Sequence, residues 1–303
     1  MKSSNIGGQA VMEGVMMRNA DKYAVAVRKT DGEIVVKTEE YKGIVQNKKI
    51  CSLPIIRGVF SFIDSMVLGM STLTYSASFF MDEEEEEKDE KKDSVMMGLT
   101  IACSVVMAVA IFMILPYFLS QLFRKFTDST TLITLLEGAV RLVIFFGYIL
   151  LISRMKDIQR VFMYHGAEHK CINCIEHGME LNVENVLKSS RLHKRCGTSF
   201  LFIVMIVSII FFLFIRIESP IWRVVFRLLL IPVIAGVSFE FIRLAGKSEN
   251  KLVIFLSKPG MMLQKLTTRE PDASMAEVAI ASVEAVFDWR AYLKENFGWQ
   301  EKV

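Results

Sequence analysis

Long blocks of apolar residues constrain this chain more than any other feature of its sequence. The first block, residues 95–119, contains no charged residue. It is longer than the roughly 20 residues that an α-helix needs to cross the hydrocarbon core of a bilayer. Three further blocks, almost free of charge, follow at 132–152, 199–215 and about 221–242. The sequence therefore predicts a mainly α membrane protein with about four transmembrane helices in a bundle over residues 95–247.

The distribution of basic residues predicts the orientation of these helices. Lysines and arginines cluster before the first block, in the 153–198 connection and after the fourth block, whereas the opposite side carries only Arg124, Lys125, Arg216 and Arg223. Loops rich in Lys and Arg remain in the cytoplasm, so we predict that both termini and the 153–198 connection are cytoplasmic. The N-terminus lacks a cationic start followed by an apolar core, so we do not expect a cleaved signal peptide. The net charge of +3 does not indicate a nucleic-acid partner.

Two regions precede the first predicted span. The first is the N-terminal region, residues 1–52, in which residues 22–42 alternate apolar and polar positions on both sides of Asp31-Gly32. That dipeptide favours a two-residue hairpin turn, so this cytoplasmic region is expected to contain a β-hairpin. Residues 53–81 are apolar at helical spacing but are interrupted by Arg57 and Asp64. We interpret them as an amphipathic helix associated with the membrane, and a fifth span is the weaker alternative.

Two polar regions complete the organisation of the chain. Residues 82–94 carry a run of charged, mostly acidic residues whose like charges repel one another and which have nothing to bury, so they are expected to be a solvated linker. Residues 248–303 contain apolar residues at helical spacing between polar ones. They are expected to form a C-terminal cytoplasmic helical region.

The most distinctive stretch, YHGAEHKCINCIEHG at 164–178, holds three of the four histidines. His165 and His169 are four residues apart, so both imidazoles project from one face of a helix, as in metal-chelating pairs. Glu168 completes His-x-x-Glu-His, the order in which one family of zinc peptidases combines two histidine ligands with a glutamate general base. This motif is short, and a polar cluster without metal is the alternative.

A second pair of candidate ligands lies on the same connection. His193 and Cys196 shortly precede the third span, and both ends of the connection are fixed at the membrane, so the two pairs are expected to converge. All four would form a closed structural site for zinc or another divalent metal, whereas three ligands and water would form an open catalytic site. Cys171 and Cys174, with His193 and Cys196, offer a competing set with the spacing of a zinc ribbon.

Charged residues within the spans need partners. Glu137 and Arg141 are one helical turn apart on the second span, and Arg227 lies at a similar depth on the fourth. Charges in hydrocarbon are costly and usually pair or face a wet cavity. We therefore predict either an ion-pair network that fixes helix packing or a transport pathway. Glu240, at the inner end of the fourth span, is an additional candidate ligand.

Four motifs together resemble one bacterial protein family. GGQAVMEGVMMR, YHGAEHK, HKRCGTSFL and LTTREP occur here in the order typical of the DUF1385 family. The resemblance covers nearly the whole chain and implies a multi-pass protein of the bacterial cell membrane. Family members are described as having unknown function and are sometimes labelled metal-dependent enzymes. The family motifs fall on Gly7, Gly8, Gln9, Glu13, Gly14, Arg18, His165, Glu168, His169, Lys170, His193, Arg195, Cys196 and Gly197.

The resemblance also bears on the choice of ligands. In the family the position of Cys171 is often threonine, which favours the set of His165, His169, His193 and Cys196 over the zinc ribbon. Glu13 is expected either to form an ion pair with Arg18 on a buried strand or to hydrogen-bond the metal ligands without binding the metal itself. Lys170 is expected to be a partner of Glu168.

Three functional classes follow from these predictions. The first is a non-catalytic partner or assembly factor of a membrane complex, in which the metal is structural. The second is a metal-dependent membrane hydrolase that uses Glu168 as the general base on a lipid or peptide. The third is a small transporter that uses the charges within the spans. Because no nucleophile motif, phosphate loop or cofactor fingerprint occurs, the first class is the principal prediction. The expected partners are the bilayer and another membrane protein.

Overall fold

The computed structural model describes residues 2–45, 53–80, 90–215, 217, 219–247 and 250–300. By their contacts the residues divide into two compact units. The first unit comprises Met1–Phe80, Ser153–Ile203 and Ala235–Val303. The second comprises Met81–Ile152 and Val204–Ile234. The first unit contains all the histidines and the N-terminal sheet.

The N-terminal region forms one antiparallel sheet in which each strand pairs with the next along the chain. The strands are β1 (Gly7–Val11), β2 (Gly14–Asn19), β3 (Lys22–Arg28) and β4 (Ile34–Glu40). The hairpin predicted around Asp31-Gly32 is the β3–β4 pair of this larger sheet. The predicted two-residue turn is wrong, because residues 29–33 connect the two strands and only Gly32 of the dipeptide has a positive φ. Gly32 adopts a φ of 89°, a backbone conformation that glycine adopts readily.

The other regular elements of the described chain are helices. The helices are α1 (Ile56–Ser78), α2 (Glu90–Val109), α3 (Leu115–Gln121), α4 (Thr130–Ile152), α5 (Lys156–Glu176), α6 (Val183–Lys188), α7 (Gly197–Phe214), α8 (Pro220–Lys247), α9 (Lys251–Thr267), α10 (Ala273–Glu284) and α11 (Trp289–Phe297). A π-helical turn at Ala110–Ile114 joins α2 to α3.

Five helices of the described residues are long and apolar enough to cross a membrane, one more than the sequence predicted. They are α1, the continuous helix over Gly98–Lys125, α4, α7 and most of α8. The count differs because α1 meets the requirements of length and apolar composition in spite of Arg57 and Asp64. The predicted acidic linker lies outside the described residues up to residue 89, and the remainder forms the start of α2.

The sheet of the first unit is covered by helices on both faces. Alternate residues of a strand point to opposite faces. Val15 and Met17 therefore enter one core with apolar residues of α5 and α10. Met16 enters a second core with Leu68 of α1. This packing places α5, which carries the histidine motif, directly against β1 and β2.

Candidate metal centre

The histidine motif lies on α5, as the four-residue spacing predicts. The ring centroids of His165 and His169 are 4.4 Å apart. Gly166, between them, allows the chain after α9 to cross the helix closely, because a Cβ at this position would be 2.0 Å from the carbonyl oxygen of Arg269. The backbone N–H of Arg269 donates to the carbonyl of Phe162 at 2.8 Å. The crossing segment thereby brings the backbone carbonyl of Thr267 to His165.

Backbone carbonyls fix the tautomers of both histidines. Nδ1 of His165 lies 2.9 Å from the carbonyl of Thr267, and Nδ1 of His169 lies 2.7 Å from the carbonyl of Arg191. A carbonyl oxygen only accepts hydrogen bonds, so each Nδ1 donates and each Nε2 keeps its lone pair. Metal-binding histidines commonly show this arrangement, in which the outer hydrogen bond orients the ring.

Cys196 supplies the third candidate ligand. Its Sγ lies 3.2 Å from Nε2 of His165. The ligand atoms of His165, His169 and Cys196 all lie within 4.8 Å of one another. Zn–N distances of about 2.0–2.1 Å and Zn–S distances of about 2.3 Å put neighbouring tetrahedral ligands roughly 3.3–3.8 Å apart, so small shifts would fit the three to zinc. Thr198 N–H, in the first turn of α7, approaches the sulfur at 3.4 Å.

His193, the fourth predicted ligand, lies outside this group. Its ring is 5.7 Å from that of His169, but its nitrogens have other partners. Nδ1 accepts from the backbone N–H of Arg195, and Nε2 donates to Glu176, both at 3.4 Å. Gln264 holds the backbone of His193 through both its N–H and its carbonyl. The ring of His193 thus has no free lone pair in this arrangement.

The described residues do not form the zinc ribbon. Cys171 and Cys174 are buried in the core between the sheet and α10. Burial raises the pKa of the Cys174 thiol to about 11 and raises that of Cys171 well above its usual value. Both are therefore neutral core residues. Cys103, Cys171, Cys174 and Cys196 are all free thiols.

Glu168 is buried beside the histidine pair and against β1. The backbone N–H of Gly8 hydrogen-bonds its carboxylate, and the side chain of His165 lies close enough to favour its charge. Burial nevertheless outweighs both effects and raises the pKa of Glu168 to about 7. A Cβ on Gly8 would lie 3.0 Å from Cγ of Glu168 and 2.5 Å from the carbonyl of Met16, so this glycine permits the close approach.

Two other predicted residues have partners that their local sequence does not indicate. Both oxygens of Glu13 accept hydrogen bonds from Arg160 of α5, so Glu13 does not pair with Arg18. Lys170, which was a candidate partner of Glu168, instead pairs with Glu270 at 2.8 Å. Its ammonium also donates to the backbone carbonyls of Leu187 and Ser189 at the end of α6.

Glu240 lies outside the candidate metal group as well. Both of its carboxylate oxygens accept hydrogen bonds from the guanidinium of Arg57 at the start of α1. This bidentate pair occupies the carboxylate that was predicted as an additional ligand.

The predicted charges of the spans form one buried network in the second unit. Glu137 accepts from Arg141 at 2.8 Å and from Arg227 at 2.6 and 2.8 Å. Arg141 also donates to Ser208, and both guanidinium groups lie over the ring of Phe212. These three charges are at most 6% exposed and pair with one another, although Nε of Arg141 has no hydrogen-bond partner among the described residues.

Sequence reasoning missed the contribution of LTTREP to the site. Thr267 orients His165, Thr268 accepts from Arg191, and Glu270 pairs with Lys170 and Arg191. The occurrence of LTTREP among the family motifs was the signal that could have found this segment. The residue types themselves do not indicate which backbone carbonyls will accept hydrogen bonds.

Together these features define a class of protein. Its members are mainly helical, and their apolar helices suit a multi-pass membrane protein. They carry a group of histidine and cysteine residues that could hold a metal ion. Residues 53–289 match the family model described as "Protein of unknown function (DUF1385)". The chain is 36% identical over 301 residues to "Uncharacterized protein YqhQ" of Bacillus subtilis (strain 168). The alignment covers 96% of this chain and 94% of that protein. The chain therefore belongs to the DUF1385 family. No solved structure matches it. The family description assigns no activity, so the label of enzyme gains no support from these comparisons.

Proposed function

We propose that this chain is a membrane-bound, metal-dependent hydrolase whose site is formed by His165, His169 and Cys196. The observation that carries the proposal is the convergence of three ligand atoms, with both Nδ1 atoms held by carbonyls. Three protein ligands and one open position are typical of catalytic zinc sites, whereas structural sites are usually closed by four. Because the ring nitrogens of His193 have other partners, the geometry favours the open site over our principal sequence prediction.

The bound metal and Glu168 would have different roles in hydrolysis. A divalent metal in an open site lowers the pKa of its bound water to about 7 and polarises a carbonyl or phosphoryl group. Glu168 is the candidate general base because it lies one helical turn from His165 and, among the described residues, has no cation within ion-pair distance. The Gly8 N–H holds its carboxylate in place.

The transporter class is less well supported. A pathway needs charged groups that meet water or substrate, but Glu137, Arg141 and Arg227 are buried against one another. Their geometry supports a role in packing the helices of the second unit.

A topology with four spans agrees with the contacts of the first unit. The sheet packs on α5 and α10, so the N-terminal region, the 153–198 connection and the C-terminal region lie on one side of a membrane. Two crossings, Gly98–Lys125 and α4, then return the chain to that side. This leaves α1 at the surface, where Leu68 packs on the sheet and the Met12 N–H donates to Ser76. The positive-inside rule assigns that side to the cytoplasm.

The substitution Glu168→Gln tests the catalytic assignment. It keeps the shape of the side chain and removes its ability to accept a proton from water. We expect the variant to retain its metal and its abundance but to fail to complement a strain that lacks the gene. Glu184→Gln, on exposed α6, is the matched control and should complement fully. A Glu168→Gln protein that is metal-replete and fully functional would overturn the hydrolase assignment.

A further inference from the structure

Two adjoining cavities of the first unit lie beside the candidate metal group. One has a volume of about 500 Å³ and a lining that is about equally polar and apolar, and the other has a volume of about 440 Å³ and a largely apolar lining, so the first is the more polar of the two. Gln9, Ser61, Ser65, Arg195 and Phe239 line both. The cavities therefore form one cleft with a polar end and an apolar end, and each is within the size range of small-molecule sites.

The apolar end is built from α1 and the start of α7. Met66, Met70 and Leu73 of α1 face Phe200 and Leu201 of α7 across it. Met66 is 52% exposed and Met70 is 42% exposed, although both are apolar. On a helix at the membrane surface, such residues contact acyl chains. This end of the cleft therefore suits a hydrocarbon chain.

The polar end favours an anion. Arg18 and Arg195 both line it. Arg195 pairs with Glu176 at 2.5 Å, whereas Arg18 has no carboxylate within ion-pair distance in the part of the chain that the structure describes. The one acidic residue of this lining, Asp64, already accepts from the Tyr41 hydroxyl and the Ile44 N–H. Guanidinium groups are well suited to phosphate oxygens.

The candidate metal group adjoins the cleft at Cys196, and Arg195, the residue before it, lines both cavities. Cys196 lines the apolar cavity, and Gly8, whose N–H holds Glu168, lines the polar one. A molecule that fills both would place the junction between its head and its chain beside the metal ligands. In a phospholipid that junction carries the acyl ester.

We propose that this cleft binds a phospholipid with an anionic headgroup, drawn from the bilayer, as the substrate of the metal site. The phosphate lies at Arg18 and the acyl chain lies between α1 and α7. Hydrolysis there consumes one water, breaks the acyl C–O bond and releases a carboxylic acid and an alcohol, so no oxidant or reductant is needed. The substrate role rests on the proposed function, whereas the binding role does not.

Photocrosslinking tests the binding role without reference to activity. The purified full-length protein is placed in phosphatidylcholine nanodiscs that contain a small fraction of phosphatidylglycerol with a diazirine on its acyl chain. We expect crosslinks on α1 near Met70 and on α7 near Phe200. Free glycerol 3-phosphate should not compete, because the chain contributes to binding, and a phosphatidylcholine probe should crosslink weakly.

Variants separate the two ends of the cleft. Arg18→Gln, which removes the phosphate contact, and Met70→Trp, which fills the apolar end, should each lower crosslinking by about tenfold. Arg18→Lys should restore part of it. Lys22→Gln on β3 and Met107→Trp on α2 are the controls and should crosslink like the wild type. Equal labelling by both lipids, or unchanged labelling in Arg18→Gln and Met70→Trp, would overturn the proposal.

Metal content, measured on the same samples, separates this proposal from the proposed function. Arg18→Gln and Met70→Trp should keep the metal, and His169→Ala should keep the lipid. Lipid crosslinking in a wild-type protein without metal would support the cleft and contradict the hydrolase. A protein with metal that shows no preference for phosphatidylglycerol would contradict the cleft and leave the hydrolase standing.

Discussion

At the scale of single residues, hydrogen bonds decide which histidines are available to a metal. His165 and His169 use Nδ1 on carbonyls and direct Nε2 to the candidate metal group, where that of His165 lies 3.2 Å from Sγ of Cys196, whereas His193 uses both nitrogens on other partners. Spacing along α5 predicted the first pair correctly as neighbours on one face. It gave no information on His193, because its partner Glu176 is selected by tertiary packing.

The substitution His193→Ala tests this distinction. It removes a hydrogen bond to the buried Glu176 carboxylate and should lower the free energy of unfolding by about 1–3 kcal/mol. The metal content of the folded protein should stay unchanged. Thermal unfolding and elemental analysis measure the two effects. Loss of the metal from a folded His193→Ala protein would show that His193 is a metal ligand, as the sequence predicted.

Buried charge in the second unit leads to a separate prediction. Glu137→Gln leaves Arg141 and Arg227 without a counter-charge, and breaking a buried pair on one side typically costs about 3–5 kcal/mol. We expect a large fall in folded yield and in thermal stability in detergent. Glu184→Gln removes an exposed carboxylate and serves as the control, with little change expected. Wild-type stability of Glu137→Gln would show that the network is not structural.

At the scale of secondary-structure elements, local sequence composition predicted most of the long helices and one hairpin of the sheet. The apolar blocks predicted α4, α7 and most of α8, and the Asp31-Gly32 turn predicted β3 and β4. The extent of the sheet and the position of α1 were less accessible, because the contacts of Leu68 and Met16 link distant parts of the chain. The crossing of the chain over α5 was not predicted, since a helical glycine gives no sign of what approaches it.

Gly166 tests whether that crossing organises the site. In Gly166→Ala the new Cβ would meet the Arg269 carbonyl at 2.0 Å, so the segment must shift away from α5. We expect a loss of about 1–3 kcal/mol in stability and weaker metal binding, as the Thr267 carbonyl leaves His165. Gly147→Ala on α4, where nothing lies within 4 Å, is the control. Equal metal affinity in both variants would argue against the role of this segment.

At the scale of the whole molecule, we expect the sheet, α5 and α10 to lie on one side of the membrane. Cysteine labelling in intact cells tests it, in a background with Cys51 and Cys103 replaced by serine. His177→Cys, at the exposed end of α5, should resist an impermeant thiol reagent, whereas Asp128→Cys, between α3 and α4, should react. Ready labelling of His177→Cys from outside would reverse the topology.

His165, His169 and Cys196 should hold a divalent metal with one position open. Elemental analysis and X-ray absorption of the protein purified in detergent without chelators measure this occupancy and geometry. We predict one metal ion per chain, bound by two imidazole nitrogens, one sulfur and one further light atom, and lost in His169→Ala and Cys196→Ser. A folded wild-type protein without stoichiometric metal, or a metal that both variants retain, would contradict it.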